Sequence, residues 1–181
     1  MINHGLTPQE IFFYRFLIAY IGIWAISPKH LFADNLKDEL WLVAGGVFGG
    51  SLYFFTENTA LGITQASNVA FIICTAPLLT TILSLLFYKS EKATKGLIYG
   101  SLLALIGVGL VVFNGSVVLK LSPVGDLLTL LAALSWAFYS LVIKRMTGRY
   151  PTVFITRKIF FYGVLTILPA FLPVSYTHLT L

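Results

Sequence analysis

The chain has 181 residues, of which 57% are hydrophobic and 10% charged, and its mean hydropathy is +0.88. A soluble domain of this length cannot cover so much apolar surface, so the composition excludes an ordinary globular protein and indicates a membrane protein whose main partner is the lipid bilayer. The formal net charge is +5, but the basic residues separate apolar runs and form no block. We therefore expect no nucleic-acid partner.

Six apolar segments approach the length of about 20 residues that a helix needs to cross the hydrocarbon core. Turn or charge signals separate them, as at Ser27-Pro28-Lys29 and Asn114-Gly115-Ser116. The predicted fold class is therefore all-α, a polytopic bundle of transmembrane helices. The predicted spans are residues 8–26, 41–63, 68–88, 96–113, 125–143 and 152–173.

Basic residues are distributed unequally between the loops on the two sides of these spans. Eight lie in loops 28–40, 89–95 and 144–151, whereas the opposite loops hold only Lys120. The positive-inside rule places the three basic loops in the cytoplasm, which predicts a multi-pass protein of the inner (cytoplasmic) cell membrane. Two more basic residues begin the last span near that side, where their long side chains can snorkel: Arg157 and Lys158.

Glu57 lies inside the second span, and no other charged residue occurs between residues 40 and 88. A carboxylate at that depth costs about 3 kcal/mol unless it faces a polar interior, so it usually marks a substrate pathway or a proton relay. We predict that Glu57 couples protons or binds the ammonium group of a substrate. The structural alternative is a protonated acid hydrogen-bonded to a neighbour such as Asn58.

Helical steps from Glu57 reach Tyr53, Gly50 and Gly46, which form a small or polar face. Small residues let helix backbones approach closely, so we expect this face to meet other helices. Tyr53 and Asn58 are included with Glu57 among the candidate binding residues.

The other candidate binding residues lie on the first, third and fifth spans. Asn68 and Thr75 share a face near Pro77, whose missing N–H frees a carbonyl that could line a site or could simply mark a kink. Trp136 and Tyr139 offer a stacking surface, although a packed aromatic core is the alternative. On the first span, Arg15 could attract an anionic substrate or could snorkel to the headgroups.

Residues 8–15 and 151–158 both begin with proline, continue with an apolar run and reach a basic residue two turns later. One segment begins outside and the other inside, as an inverted-topology repeat requires. If the separation in sequence between these two segments also applies to the other spans, the repeat partner of the fifth span would lie before Met1. The repeat partner of Trp41 would lie after Leu181. This predicts a chain that lacks the first helix and the final three.

Several motifs follow one another along the chain. They are residues 6–19, residues 58–67, Ala76-Pro77-Leu78-Leu79-Thr80, Glu91 before Gly96, Gly107-Val108-Gly109, Gly125-Asp126-Leu127-Leu128 and Trp136-Ala137. Their order resembles the EamA-like family of the drug/metabolite transporter superfamily.

The resemblance implies ten helices in two inverted five-helix repeats, of which this chain would hold helices two to seven, and export of small metabolites or drugs. It assigns residues 1–114 to the first repeat and residues 115–173 to the second. Residues 174–181 do not look like that family: they resemble translated sequencing-adapter sequence, which predicts a non-native tail, and the alternative is a polar external loop with a short apolar end.

Two other functions compete with transport. An intramembrane enzyme would need a nucleophile with its base, or a metal, at membrane depth, but the three histidines fall outside the spans. We therefore expect no catalytic residue, and we also expect no metal and no cofactor. A structural membrane protein has no use for Glu57. Pairs such as Gly45/Gly49 favour packing within the bundle, although a homodimer stays open.

Overall fold

The computed structural model describes residues 8–26, 32–88, 94–113 and 122–171, and in these ranges every regular element is helical. The predicted all-α class is therefore confirmed, while the predicted tail 174–181 lies outside the described residues. The elements are α1 (Pro8–Ile26), α2 (Leu36–Gly46), a π-helical segment (Val47–Leu52), α3 (Tyr53–Ile63), α4 (Ala66–Ile73), α5 (Ala76–Phe87), α6 (Lys95–Phe113), α7 (Pro123–Thr147), α8 (Thr152–Ile167) and a 3₁₀ segment (Leu168–Phe171).

Helix α2 begins earlier than the apolar pattern predicted. The predicted second span starts at residue 41, whereas the helix starts at Leu36, because the Asn35 side chain accepts a hydrogen bond from the backbone N–H of Asp38 at 2.8 Å. Two acidic residues in the first turn, Asp38 and Glu39, also suit the positive end of the helix dipole. Polar capping residues therefore extend the helix into the predicted loop 28–40.

The third predicted span is divided into α4 and α5. A turn at Cys74 and Thr75 separates them, and Pro77 lies in the first turn of α5, where its missing N–H is tolerated. The Thr75 hydroxyl donates to the Ile72 carbonyl at 2.6 Å and so binds the last turn of α4. Pro77 thus ends one helix and begins the next.

The chain forms two compact units, of which unit 1 comprises residues 1–51 and 142–181. In unit 1, α8 packs against both α1 and α2. A Cβ atom at Gly46 would lie 2.5 Å from the Tyr162 Cβ, and one at Gly50 would lie 3.2 Å from the Gly163 Cα. The prediction that this small face meets another helix is confirmed for both glycines.

Unit 2 comprises residues 52–141. Within it α4 packs against α3 and α6, and α5 packs against α6. Helix α6 exposes large apolar side chains along its length, which suits contact with lipid rather than water. These side chains are Leu97, Ile98, Tyr99, Leu102, Leu103, Ile106 and Leu110.

Two helical stretches among the described residues are long and apolar enough to cross a membrane, Ala66–Phe87 and Pro123–Thr147. The 25 residues of α7 measure about 37 Å at the standard helical rise. A shorter apolar helix covers Lys95–Leu110.

The substitution Gly46→Ala should destabilise unit 1, because the new methyl group would overlap Tyr162 and overpacking costs about 1–3 kcal/mol. The matched control is Gly100→Ala on α6, where nothing lies within 4 Å and alanine gains helix propensity. Thermal unfolding in detergent micelles should show a lower midpoint for Gly46→Ala alone. Equal midpoints for the two variants would contradict the close contact between α2 and α8.

Candidate functional site

Four predicted site residues come together in unit 2, and we call Tyr53, Glu57, Trp136 and Tyr139 the Glu57 cluster. The Tyr53 hydroxyl donates a hydrogen bond to Glu57 Oε1 at 3.0 Å. The Tyr53 and Trp136 ring centroids are 5.2 Å apart, and those of Trp136 and Tyr139 are 5.1 Å apart. Residues from two predicted spans therefore form one continuous carboxylate and aromatic surface.

Helical spacing explains both halves of the Glu57 cluster. Tyr53 and Glu57 are four residues apart on α3, and Trp136 and Tyr139 are three apart on α7, so each pair lies on one helix face. Glu57 and Tyr53 are half-buried, whereas Trp136 is 41% exposed. The cluster is therefore open on the side of the indole ring.

The chemistry of the Glu57 cluster suits a positively charged group. A carboxylate attracts a cation electrostatically, and the faces of tryptophan and tyrosine attract it through the ring quadrupole. Among the described residues, the structure shows a phenol bonded to Glu57 and no cation paired with it. The same carboxylate could instead take up and release a proton.

Of the four other predicted site residues, two bond to their own helix or turn. The Asn58 amide donates to the Phe54 carbonyl at 2.8 Å on its own helix, so the partner of Glu57 is Tyr53 and not Asn58. Thr75 is bonded to its own turn, and Asn68 is buried on α4. Arg15 is exposed on α1 in unit 1. Binding roles for these four residues stay predictions.

The π-helical segment changes one assumption made from the sequence. The step from Gly50 to Glu57 assumed 3.6 residues per turn, but residues 47–52 form wider turns. The regular spacing therefore does not hold between Gly50 and Glu57, although it holds between Tyr53 and Glu57. Wide turns of this kind occur frequently at functional sites.

Two carboxylates at the start of α2, buried Asp38 and partly buried Glu39, form an ion-pair network that the sequence analysis missed. Asp38 accepts hydrogen bonds from Arg149 Nη1 at 2.9 and 3.1 Å, from the Tyr150 hydroxyl at 3.1 Å and from Asn35 Nδ2 at 2.9 Å. Burial alone would raise the pKa of Asp38, but the hydrogen bonds from Asn35, Arg149 and Tyr150 outweigh it, so the pKa is lower than usual.

Glu39 forms the second half of this network. Its carboxylate accepts hydrogen bonds from Lys158 Nζ, from the Tyr162 hydroxyl and from the backbone N–H of Ala33. Burial raises the pKa of Glu39, but the bonds from Lys158, Tyr162 and Ala33 together bring it below its ordinary value.

The expectation that Arg157 and Lys158 snorkel is wrong, because both side chains are buried, at 2% and 4% exposure. Lys158 pairs with Glu39, and the Arg157 guanidinium lies 5.6 Å from the centre of the Phe154 ring. The sequence contains one signal of this network. Two adjacent acidic residues, Asp38 and Glu39, lie in loop 28–40, for which only the basic residues were counted. No group of three or more His, Cys, Asp or Glu side chains in the described ranges could hold a metal ion.

Comparison with known proteins gives the family. The profile of the EamA-like transporter family matches residues 1–113. The chain belongs to this family. It is 32% identical over 149 residues to the uncharacterized transporter YdfC of Bacillus subtilis (strain 168), covering 81% of this chain and 47% of that protein. An uncharacterized transporter of Archaeoglobus fulgidus is 27% identical over 168 residues, which are 91% of this chain and 57% of that one.

The EamA-like chain thus spans about half the length of the curated relatives that it matches. A crystal structure of a protein 21% identical in sequence has the same fold, with a TM-score of 0.71 over 93% of this chain and 59% of that one. Membership in the family makes the protein a multi-pass membrane protein. The division into repeats at residue 114 and the tail at 174–181 stay predictions.

Asp38→Asn should lower the thermal midpoint near neutral pH, because it removes the anion that Arg149 and Tyr150 bind. A carboxyl whose pKa falls on folding stabilises the protein above the unfolded pKa, and this contribution is lost as the pH falls through the folded value. The difference in midpoint between wild type and variant should therefore shrink below about pH 4, the ordinary aspartate range.

The matched control for Asp38→Asn is Asp34→Asn, which neutralises an exposed carboxylate four residues earlier in the chain and keeps the backbone N–H that donates to the Tyr150 hydroxyl at 3.1 Å. Thermal scans of all three proteins between acid and neutral pH provide the measurement. A difference in thermal midpoint between wild type and Asp38→Asn that stays constant down to the lowest pH would contradict the ion-pair assignment.

Proposed function

We propose that the full-length protein exports small metabolites or drugs across the cytoplasmic membrane by alternating access, with Glu57 in the solute or proton pathway. Family membership supports the transporter class, and both relatives named above are called transporters. The observation that carries the role of Glu57 is its position beside Tyr53 and Trp136 in one half-open cluster.

The Glu57 cluster supports two coupled uses of one carboxylate. An ionised Glu57 binds an ammonium group, whose alkyl substituents pack on the Trp136 and Tyr139 rings. A protonated Glu57 loses that attraction and releases the cation. Exchange of a proton for a cationic solute at the same carboxylate would therefore couple export to the proton gradient.

The proposed orientation keeps the basic loops 28–40, 89–95 and 144–151 in the cytoplasm. On this orientation, Asp38 and Arg149 meet at the cytoplasmic side of unit 1. The bilayer is the proposed partner of the exposed apolar side chains on α6. A second copy of the protein, forming a homodimer, would be a further partner of this surface.

An intramembrane enzyme is the alternative function. Its chemistry would need a nucleophile and a base at membrane depth, and the Glu57 cluster instead offers a carboxylate and aromatic rings, which suit binding. The names of the relatives also favour transport.

Flux assays in proteoliposomes test the proposal, using the full-length protein and a panel of small organic cations with and without a pH gradient. Glu57→Gln keeps the size and the Tyr53 contact but cannot ionise, so proton-driven flux should fall at least about 10-fold, as expected for loss of an essential proton-transfer group. The matched control, Asp34→Asn, removes an exposed loop carboxylate and should transport like wild type.

Proton-driven flux that is unchanged in Glu57→Gln would refute the role of Glu57 in coupling. Absence of flux for every solute in the wild-type protein, together with turnover of a lipid or peptide substrate, would favour the enzyme instead.

A further inference from the structure

We propose that the start of α2 is joined to α8 and to the turn before it by an ion-pair latch that closes the cytoplasmic side of the transport pathway and opens in each cycle. The latch consists of Asp38, Glu39, Arg149, Tyr150, Lys158 and Tyr162. It rests on the proposed function, because only an alternating-access transporter needs a contact that breaks and reforms.

The partners of the latch come from different parts of the chain. Both carboxylates lie in the first turn of α2, and each is bound by one cation and one tyrosine from residues 149–162. The carboxylates belong to the predicted first repeat and their four partners to the predicted second. Rocking of one repeat against the other must therefore separate these ion pairs.

Burial gives the latch two distinct states. The Asp38 and Lys158 side chains are only 2% and 4% exposed, against 14% for Glu39 and 52% for Arg149. An unpaired charge left in a low-dielectric site is strongly unfavourable. A partly separated pair is therefore unstable, and the helices are either joined or far enough apart for water to enter.

A cavity of about 190 Å³ borders the latch in unit 1 and makes opening feasible. Arg157 and Lys158 line it together with Tyr20, Phe32 and Phe161. Water in this space can hydrate the Lys158 ammonium when it leaves Glu39, because the space is large enough for several molecules and two cationic side chains, Arg157 and Lys158, border it among three aromatic ones.

The close contact between Gly46 and Tyr162–Gly163 supplies a pivot for the movement. Gly46 is seven residues, or about 10 Å, along α2 from Glu39. The backbones touch there, whereas the two ion pairs join the start of α2 to residues 149–158 through long side chains; Tyr162 belongs to both, because its backbone lies at the pivot and its hydroxyl reaches Glu39. Tilting about the glycine contact would therefore open the latch end first.

Cysteine labelling of the full-length protein in membranes tests the latch without any substrate. The background is Cys74→Ser, and the reporter is Leu42→Cys, one turn from Asp38 on α2 and fully buried. A membrane-impermeant maleimide is applied from the cytoplasmic side. Lys158→Met leaves the Glu39 carboxylate without its cation. It should raise the labelling rate of the reporter at least about 10-fold, the change expected if opening becomes easier by about 1.4 kcal/mol.

Two matched variants and a second reporter sharpen the test. Lys158→Arg keeps the ion pair with Glu39, and Lys37→Met removes an exposed cation from α2, the helix that carries the reporter. In both variants the reporter cysteine should therefore be labelled at the background rate. Ala133→Cys, buried in unit 2, should stay unlabelled in every variant.

Labelling of Leu42→Cys that is unchanged by Lys158→Met would overturn the latch. Equal labelling of both reporters would also overturn it, because it would mean a general loss of packing. Failure of the flux assay does not affect this readout. A protein that transports nothing but is labelled at Leu42→Cys when Lys158 is replaced would refute the proposed function and would leave an ion-pair contact that holds α2 and α8 together without a role in transport.

Discussion

The hydrogen bond from the Tyr53 hydroxyl to Glu57 is the interaction on which the functional interpretation depends. A carboxylate inside an apolar helix needs a polar partner, and here the partner comes from the preceding turn of the same helix. The same phenol ring contacts Trp136 on α7. One side chain thus satisfies the carboxylate and connects it to the aromatic surface.

Three acidic groups, Asp38, Glu39 and Glu57, fall into two kinds that differ in what binds them. Asp38 and Glu39 each have a cation and a tyrosine as partners, which fixes them as anions that hold helices together. Glu57 has a neutral phenol as its partner among the described residues. A carboxylate with a neutral partner keeps its capacity to attract a cation or a proton, so the two kinds suit different tasks: closure and binding.

The sequence predicted those features that depend on local pattern. The apolar runs gave the all-α class and most helix positions, and three- and four-residue spacing correctly paired Trp136 with Tyr139 and Tyr53 with Glu57. The meeting of α3 and α7 could not be predicted, because no local rule specifies which helices are neighbours. The π-helical segment also leaves no simple signal in the sequence.

The ion pairs of α2 show a second limit of sequence reasoning. Lys158 and Arg149 were counted only as topology signals, since a positive-inside argument sums charges and does not pair them. Pairing requires the tertiary contact between α2 and α8, and that contact depends on the small size of Gly46, where a Cβ atom would overlap Tyr162. Burial of Lys158 follows from this packing rather than from its position in the chain.

The most direct test of the central claim is the water accessibility of position 57. In a Cys74→Ser background, Glu57→Cys in the full-length protein should react with a small, water-soluble methanethiosulfonate. A cysteine at position 57 that reacts only with lipid-soluble reagents, or with none, would contradict the claim that this side chain faces a solute pathway.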